Sequence, residues 1–236
     1  MAEAFISRRD VKAIQHGDGS WSPIRQPFKL DDFRAHFAGT KTLGHYMLSD
    51  EGKTKLLAFD LDLRAPKEEI GFIPVCGHGE CDPRVSWLDP DSPHRDHLCV
   101  SLRTTADMIA TEAQRVFGCP VAMADSGGKG LHVYVLTGER DAKITRMWGK
   151  RMMTKLGFVN TRGENFFITD SDSVVEVEMF PKQDSLDGKD LGNLMKLPMG
   201  VHQKTRQRSC FITMNANLDT LLAMDPFLAL DGEGCA

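Results

Sequence analysis

The run Leu56-Leu57-Ala58-Phe59-Asp60-Leu61-Asp62-Leu63 constrains this chain more than any other stretch. An apolar run of this length reads as a buried β-strand, on which residues two apart project from one face. Asp60 and Asp62 therefore project together, while Phe59 and Leu61 turn toward a core. Two ionised carboxylates a few ångströms apart repel each other. Either a hard divalent cation such as Mg²⁺ or Mn²⁺ offsets that repulsion, or the pair sits on a wet strand edge. The motif alone leaves both open.

Bulk properties narrow the setting. With 236 residues the chain can bury a full core, as one large domain or two small ones. No apolar stretch approaches a membrane span, and residues 1–10 carry arginines without an apolar signal core. The expectation is a cytoplasmic protein with no membrane partner. Its six cysteines are then expected as thiols or metal ligands and not as disulfides. A net charge of −4 is no nucleic-acid signature, yet a local basic stripe is enough to hold a phosphate backbone.

Residues 1–25 read as irregular, with turn chemistry at His16-Gly17-Asp18-Gly19-Ser20 and Ser22-Pro23. Residues 29–37 predict a short helix stopped by Gly39. Residues 43–48 and 56–63 predict two strands joined as a hairpin around Ser49–Lys53. Residues 64–98, rich in proline and poor in hydrophobic period, read as a long loop or insertion. Helices are expected over 101–117 and 141–156, with strands at 121–124, 131–136, 174–180 and 209–214 and a short helix at 218–224. Strands and helices interleave without regular βαβ spacing, which predicts an α+β fold with a mostly antiparallel sheet.

Three further segments carry chemistry. Ser126-Gly127-Gly128-Lys129-Gly130-Leu131-His132 places glycines between two strands, where exposed N–H groups can cradle an anion. Ser126, Lys129 and His132 can add donors or charge to phosphate oxygens; otherwise this is only a hairpin. Val175-Glu176-Val177-Glu178-Met179-Phe180 is a second acidic alternation, able to supply a third carboxylate or simply a wet strand face. Residues 193–209 hold Lys196, His202, Lys204, Arg206 and Arg208 with no acidic residue, a local basic strip in an acidic protein. Together these pieces suit phosphoryl or nucleotidyl transfer with two metal ions.

In order and wording, these motifs resemble the archaeo-eukaryotic primase superfamily. Its mark is an apolar strand ending in Asp60-x-Asp62, then a Ser-to-His glycine hairpin (Ser126 to His132), then a later acidic strand. The extended hairpin is similar to the prim-pol and end-joining polymerase branches. Phe33-Arg34-Ala35-His36-Phe37, Leu43-Gly44-His45-Tyr46, Phe180-Pro181-Lys182-Gln183 and Gly192-Asn193-Leu194-Met195-Lys196-Leu197-Pro198 resemble the primase-polymerases of conflict systems of TOTE type. The resemblance spans about residues 28–215. It implies an RRM-like catalytic portion over 56–215, a smaller N-terminal αβ portion over 1–55, and a tail over 216–236.

The resemblance also implies roles. Asp60, Asp62 and Glu178 (alternatively Glu176) would hold two Mg²⁺ or Mn²⁺ ions. Ser126, Gly128, Lys129, His132, Lys196 and His202 would contact the incoming nucleotide. Lys204, Arg206 and Arg208 would touch template or primer phosphates. The implied activity is DNA-templated primer synthesis or extension. Its partners would be single-stranded template, primer strand and NTP or dNTP, with any helicase a separate chain. A metal-dependent nuclease and a non-catalytic nucleic-acid-binding subunit are the competing readings.

The Cys/His-rich insertion, 64–99, offers Cys76, His78, Cys81, His97 and Cys99 as candidate ligands for a structural Zn²⁺. Cys119, Cys210 and Cys235 read as ordinary thiols. Trp21, Trp87 and Trp148 could each serve as a core residue or stack on a base.

Overall fold

A computed structural model describes residues 2–64 and 82–212. It is α+β, and every strand pair is antiparallel. A long strand, β4 (Lys53–Leu63), is central to a seven-stranded sheet in the order β11-β5-β6-β4-β9-β8-β7. Its other members are β5 (Val121–Asp125), β6 (Gly130–Asp141), β7 (Val159–Asn160), β8 (Phe166–Ile168), β9 (Val175–Phe180) and β11 (Phe211–Ile212). A four-stranded sheet runs β10-β3-β1-β2, from β1 (Lys12–Gln15), β2 (Trp21–Ile24), β3 (Leu43–Tyr46) and β10 (Leu194–Lys196). The fourth strand of this mainly N-terminal sheet thus comes from far along the chain.

Alternation along β4 builds two cores. Leu57, Phe59, Leu61 and Leu63 point to one face with Val133, Val135 and Val177. There they meet α4 (Arg95–Phe117), whose Leu98, Leu102, Ala106, Ile109 and Ala113 recur at helical spacing as a buried stripe. Met152 and Met153 of α5 (Ala142–Lys155) complete this layer. Leu56 and Ala58 point the other way, with Tyr134, Ala124 and Phe180, against Leu43, Met47, Met195 and Leu197 and the N-terminal Phe5 and Ile6. The seven-stranded sheet is therefore sandwiched between helices and the smaller sheet. Burial at about 25 cal/mol per Å² of apolar surface makes this double-sided core the main stabilising term.

Four expectations are corrected. Residues 1–25 are not irregular: they hold α1 (Ala2–Phe5) and the β1–β2 hairpin, with His16 to Ser20 as the turn between the strands and Ser22-Pro23 not a turn but part of β2. β3 and β4 do not pair. The turn closes, with Ser49 N donating to Lys53 O at 2.8 Å, but β3 pairs with β1 and β10 while β4 passes to the other sheet. The segment read as a loop to residue 98 contains α3 (Pro83–Leu88) and the first turn of α4. Asp82 caps α3 by accepting from Arg84 N at 2.9 Å, and Pro83 stands just inside it, the ordinary start of a helix. The short strands β7, β8 and β10 were not expected. The helix foreseen at 218–224 lies outside the described residues, as do Cys76, His78, Cys81 and Cys235.

Candidate active site

The face of the seven-stranded sheet that meets the smaller sheet changes character along its strands. On β4, Leu56 and Ala58 give way to Asp60 and Asp62; on β6, Tyr134 gives way to His132; on β9, Phe180 gives way to Glu178 and Glu176. The change occurs in register. Asp60 lies opposite His132 on one side and Glu178 on the other, and Asp62 lies opposite Gly130 and Glu176. Directly opposed residues in an antiparallel pair have Cβ atoms about 4.5–5.5 Å apart. Three strands thus bring carboxylate, imidazole and carboxylate into one row at the rim of an apolar core.

That row forms one wall of a cavity of about 380 Å³, lined also by Asp62, Ser126, Gly128, Lys129, Lys196 and His202. Nine of the predicted residues, Glu178 among them, therefore meet in one place. Glu176 does not line it: its carboxylate is held by Arg162 at 2.7 Å and by the Thr161 hydroxyl at 3.0 Å.

The hairpin between β5 and β6 is pinned from within. Ser126 Oγ accepts from Gly128 N at 3.0 Å and Gly130 N at 3.3 Å, and Gly127 N donates to Asp125 Oδ1 at 2.5 Å. Gly127 is required here, because its φ is +68° and a Cβ would lie 2.8 Å from Gln207 O. Trp87 Nε1 donates to Gly128 O at 3.0 Å, and the Thr205 hydroxyl donates to Gly127 O. The turn is thus fixed on both flanks, which leaves Lys129 to reach outward.

Charges in the cavity are balanced in pairs. Lys129 Nζ stands 2.9 Å from Asp62 Oδ2, and Lys182 pairs with Glu178. Both partners of the first pair are about two-fifths exposed (41% and 42%), so it contributes only about 0–1 kcal/mol. Lys129 can therefore transfer to an incoming anion at small cost. His132 Nε2 lies 3.3 Å from Asp60 Oδ1, and the His132 Nδ1 is 2.7 Å from the Tyr134 hydroxyl. Burial keeps the Tyr134 phenol protonated, well above its ordinary pKa. It can donate to Nδ1, which places the ring proton on Nε2, toward Asp60.

Burial raises the Asp60 carboxyl, but His132 beside it and the ammonium groups of Lys129 and Lys196 outweigh it and hold Asp60 below the usual range. Asp62 is pushed up by burial and by Asp60 beside it. Burial also raises Glu178. Lys196 is buried, its ammonium donating to Ser126 O, and burial lowers its pKa to about 8 despite Asp125 and Asp60 nearby.

The fit of these residues to a divalent cation rests on two observations. Asp60 Oδ1 is buried and, although His132 Nε2 stands 3.3 Å away, makes no well-formed hydrogen bond. The surrounding donors are hard carboxylate oxygens, the kind Mg²⁺ and Mn²⁺ prefer. Among the described residues, no three His, Cys, Asp or Glu side chains are grouped closely enough to hold a metal ion as they stand.

The remaining predictions separate. Lys204, Arg206 and Arg208 are exposed but do not line the cavity. Arg208 donates to Phe37 O at 2.7 Å and Met199 O at 3.0 Å, tying its loop to α2 (Leu30–Ala38). Arg206 donates to Gln203 Oε1 at 2.5 Å. His97 and Cys99 sit two residues apart on α4, hence on different faces, with His97 exposed and Cys99 in the core. They do not converge on one ion. The cavity also includes Gln15, Trp21, Lys182, Asn193 and Leu194, which sequence reasoning did not assign to it. Lys182 had a signal, since it lies four residues past Glu178 in the Phe180-to-Gln183 phrase. Gln15 had none, and Trp21, open to stacking on a base or to the core, could not be placed because its strand was not foreseen.

No curated protein sequence matches the chain. The family described as "TOTE conflict system, Archaeo-Eukaryotic Primase domain" matches it over residues 3–221. This span takes in every described element but the first residue of α1. The chain belongs to the archaeo-eukaryotic primase domain family of TOTE conflict systems, a family of primase-like nucleotidyltransferases.

Proposed function

We propose that this chain is a DNA-templated nucleotidyltransferase that synthesises or extends primers on a single-stranded template from NTP or dNTP. The observation that carries this reading is the register of Asp60 between His132 and Glu178, beside a pinned glycine hairpin in the same cavity. Carboxylates alone would suit many hydrolases. Carboxylates next to a hydroxyl, an imidazole and two lysines able to meet several phosphate oxygens suit a nucleoside triphosphate.

Asp60, Asp62 and Glu178 would hold Mg²⁺ or Mn²⁺, which supplies Lewis-acid stabilisation of the charge on the reacting phosphate and on the departing pyrophosphate. The chain's own groups do the rest. Lys129 leaves Asp62 for the β- and γ-phosphates, and Ser126, whose Oγ accepts from the hairpin's own N–H groups, keeps its hydroxyl proton to orient them. His132, with its proton on Nε2, donates toward the same oxygens, and Tyr134 keeps that tautomer. Lys196 adds positive charge from beneath the hairpin. The attacking 3′-oxygen forms its bond to the α-phosphorus as the bond to pyrophosphate breaks. Lys204 and Arg206 offer exposed charge for template or primer phosphates outside the cavity, and a place in a conflict system follows the family description.

Incubation with single-stranded DNA, labelled nucleotides and Mn²⁺ or Mg²⁺ tests the reading. Template-dependent longer products are expected. Shortened DNA with no incorporation would assign the site to a nuclease instead.

A further inference from the structure

The three tryptophans occupy different settings. Trp87 is buried and spends its Nε1–H on Gly128 O. Trp148 stacks on Phe117, with centroids 5.5 Å apart, and carries the Arg140 guanidinium 5.2 Å from its ring. Trp21 is half-exposed, stacks on no other ring among the described residues, and lines the active cavity.

Its position is fixed by the strand register. Trp21 lies opposite Gln15 in the β1–β2 pair, so the two side chains share a face. The Gln15 amide is 3.3 Å from His202 Nε2, and Gln15 Oε1 accepts from Gln203 N at 3.0 Å. His202 in turn flanks the glycine hairpin, close to the space above Gly127 and Gly128. Hairpin, His202, Gln15 and Trp21 thus form a continuous path from the phosphate cradle to the smaller sheet.

The seat of the indole is also built. A Cβ on Gly44 would lie 2.9 Å from Trp21 Cζ3 and 2.8 Å from Leu194 Cδ1, so a glycine is what lets ring and leucine settle over β3. The carboxylate wall and the hairpin are polar, whereas Trp21 and Leu194 supply apolar surface to the cavity. A nucleotide has the same division between polyanion and aromatic base. Phe180 is the other aromatic lining residue, and it is nearly buried beneath Lys182, 4.7 Å from its ring centre.

We propose that Trp21 is the base-stacking residue of the nucleotide site, holding the incoming nucleobase on its ring while the Ser126–His132 hairpin holds the phosphates. The inference rests on the nucleotide-binding reading of the cavity. Stacking of this kind tolerates all four bases, since each has a π-face, and it acts on affinity and not on base choice.

The test is calorimetric binding of a dNTP whose α,β-bridging oxygen is replaced by NH, compared with inorganic triphosphate, both with Mg²⁺. Wild type is expected to bind the nucleotide more tightly than triphosphate. Trp21→Ala is expected to lose about tenfold in nucleotide affinity with triphosphate affinity unchanged, and Trp21→Phe to recover most of the loss. Trp21→Leu keeps apolar bulk on Gly44 without a π-face, and should show the same tenfold loss with triphosphate affinity unchanged, so it stands in for the alanine variant should that one fold poorly. Nucleotide affinity equal to wild type in Trp21→Leu or Trp21→Ala, with binding otherwise intact, would overturn the stacking role alone. Failure of wild type to bind either ligand would overturn the nucleotide-site reading beneath it.

Discussion

Asp60 and Glu178 face each other across the β4–β9 pair, one residue directly opposite the other. Glu176 faces Asp62 in the same ladder, but its carboxylate is taken by Arg162 and Thr161 and lines a neighbouring cavity, shared with Asp62 and Lys129, instead of the one that holds Glu178. Strand register brings both glutamates close, and local partners distinguish them.

Glu178→Gln should therefore lower nucleotide incorporation by on the order of 10²-fold or more, because it removes one of the carboxylates that would hold the divalent cation. Glu176→Gln should stay within a few-fold of wild type. Single-nucleotide extension rates on one primed template compare the two directly, and the reverse ranking would exchange their roles.

Gly127 offers a stability prediction. Its left-handed backbone costs an alanine about 1–2 kcal/mol. The Cβ would also press on Gln207 O, which accepts from His202 N at 2.8 Å. Gly127→Ala should lower the thermal midpoint by several degrees and raise the KM for nucleotide. Unchanged values of both would mean that the hairpin relaxes freely.

His36 predicts how stability responds to acid. Its Nδ1 accepts from Leu43 N at 3.0 Å and its Nε2 donates to Pro198 O at 2.8 Å, which requires a neutral ring. Burial lowers its pKa from 6.5 to about 4, and burial does the same to His45. Between those values the unfolded chain binds protons that the folded chain does not. Stability is therefore full above about pH 6.5 and falls as pH drops toward 4, by up to about 3 kcal/mol for each histidine. Urea midpoints measured from pH 7 to 4 should show this slope, and His36→Gln should remove part of it.

Lys196 predicts how nucleotide affinity responds to base. Its pKa of about 8 means that the ammonium is lost as pH rises through that value, while an exposed lysine would stay charged. The KM for nucleotide should climb above pH 8. Lys196→Met, which keeps the stem and removes the charge, should raise KM at pH 7 by about tenfold and flatten the climb. A wild-type KM independent of pH up to 10 would remove Lys196 from the nucleotide's surroundings.

The legible parts of this molecule are those where local pattern and long-range pairing agree. Asp60 and Asp62 could be placed on one face because β4 alternates cleanly, and the Ser126–His132 hairpin announced itself by its glycines. Glu178 is preferred over Glu176 in the sequence for its closeness to the Phe180-to-Gln183 phrase, but the Arg162 contact that holds Glu176 aside is one that no spacing reveals. β1 and β2 are four residues each, and Pro23 interrupts the second, so their pairing is visible only once Gln15 and Trp21 are opposite each other. β10 is three residues long and joins β3 from about 150 positions away. The expected β3–β4 hairpin had sound turn chemistry, but both edges of β3 are occupied by β1 and β10. Proline-rich texture before residue 98 concealed Asp82 and Pro83, which start a helix.

The central claim concerns what Asp60 does in its row. The most direct measurement is template-dependent incorporation of labelled nucleotide by wild type and Asp60→Ala, with thermal melting of both. Wild type should lengthen a primer or make one, and Asp60→Ala should give no product while melting within a few degrees of wild type. Undiminished incorporation by folded Asp60→Ala would contradict the account.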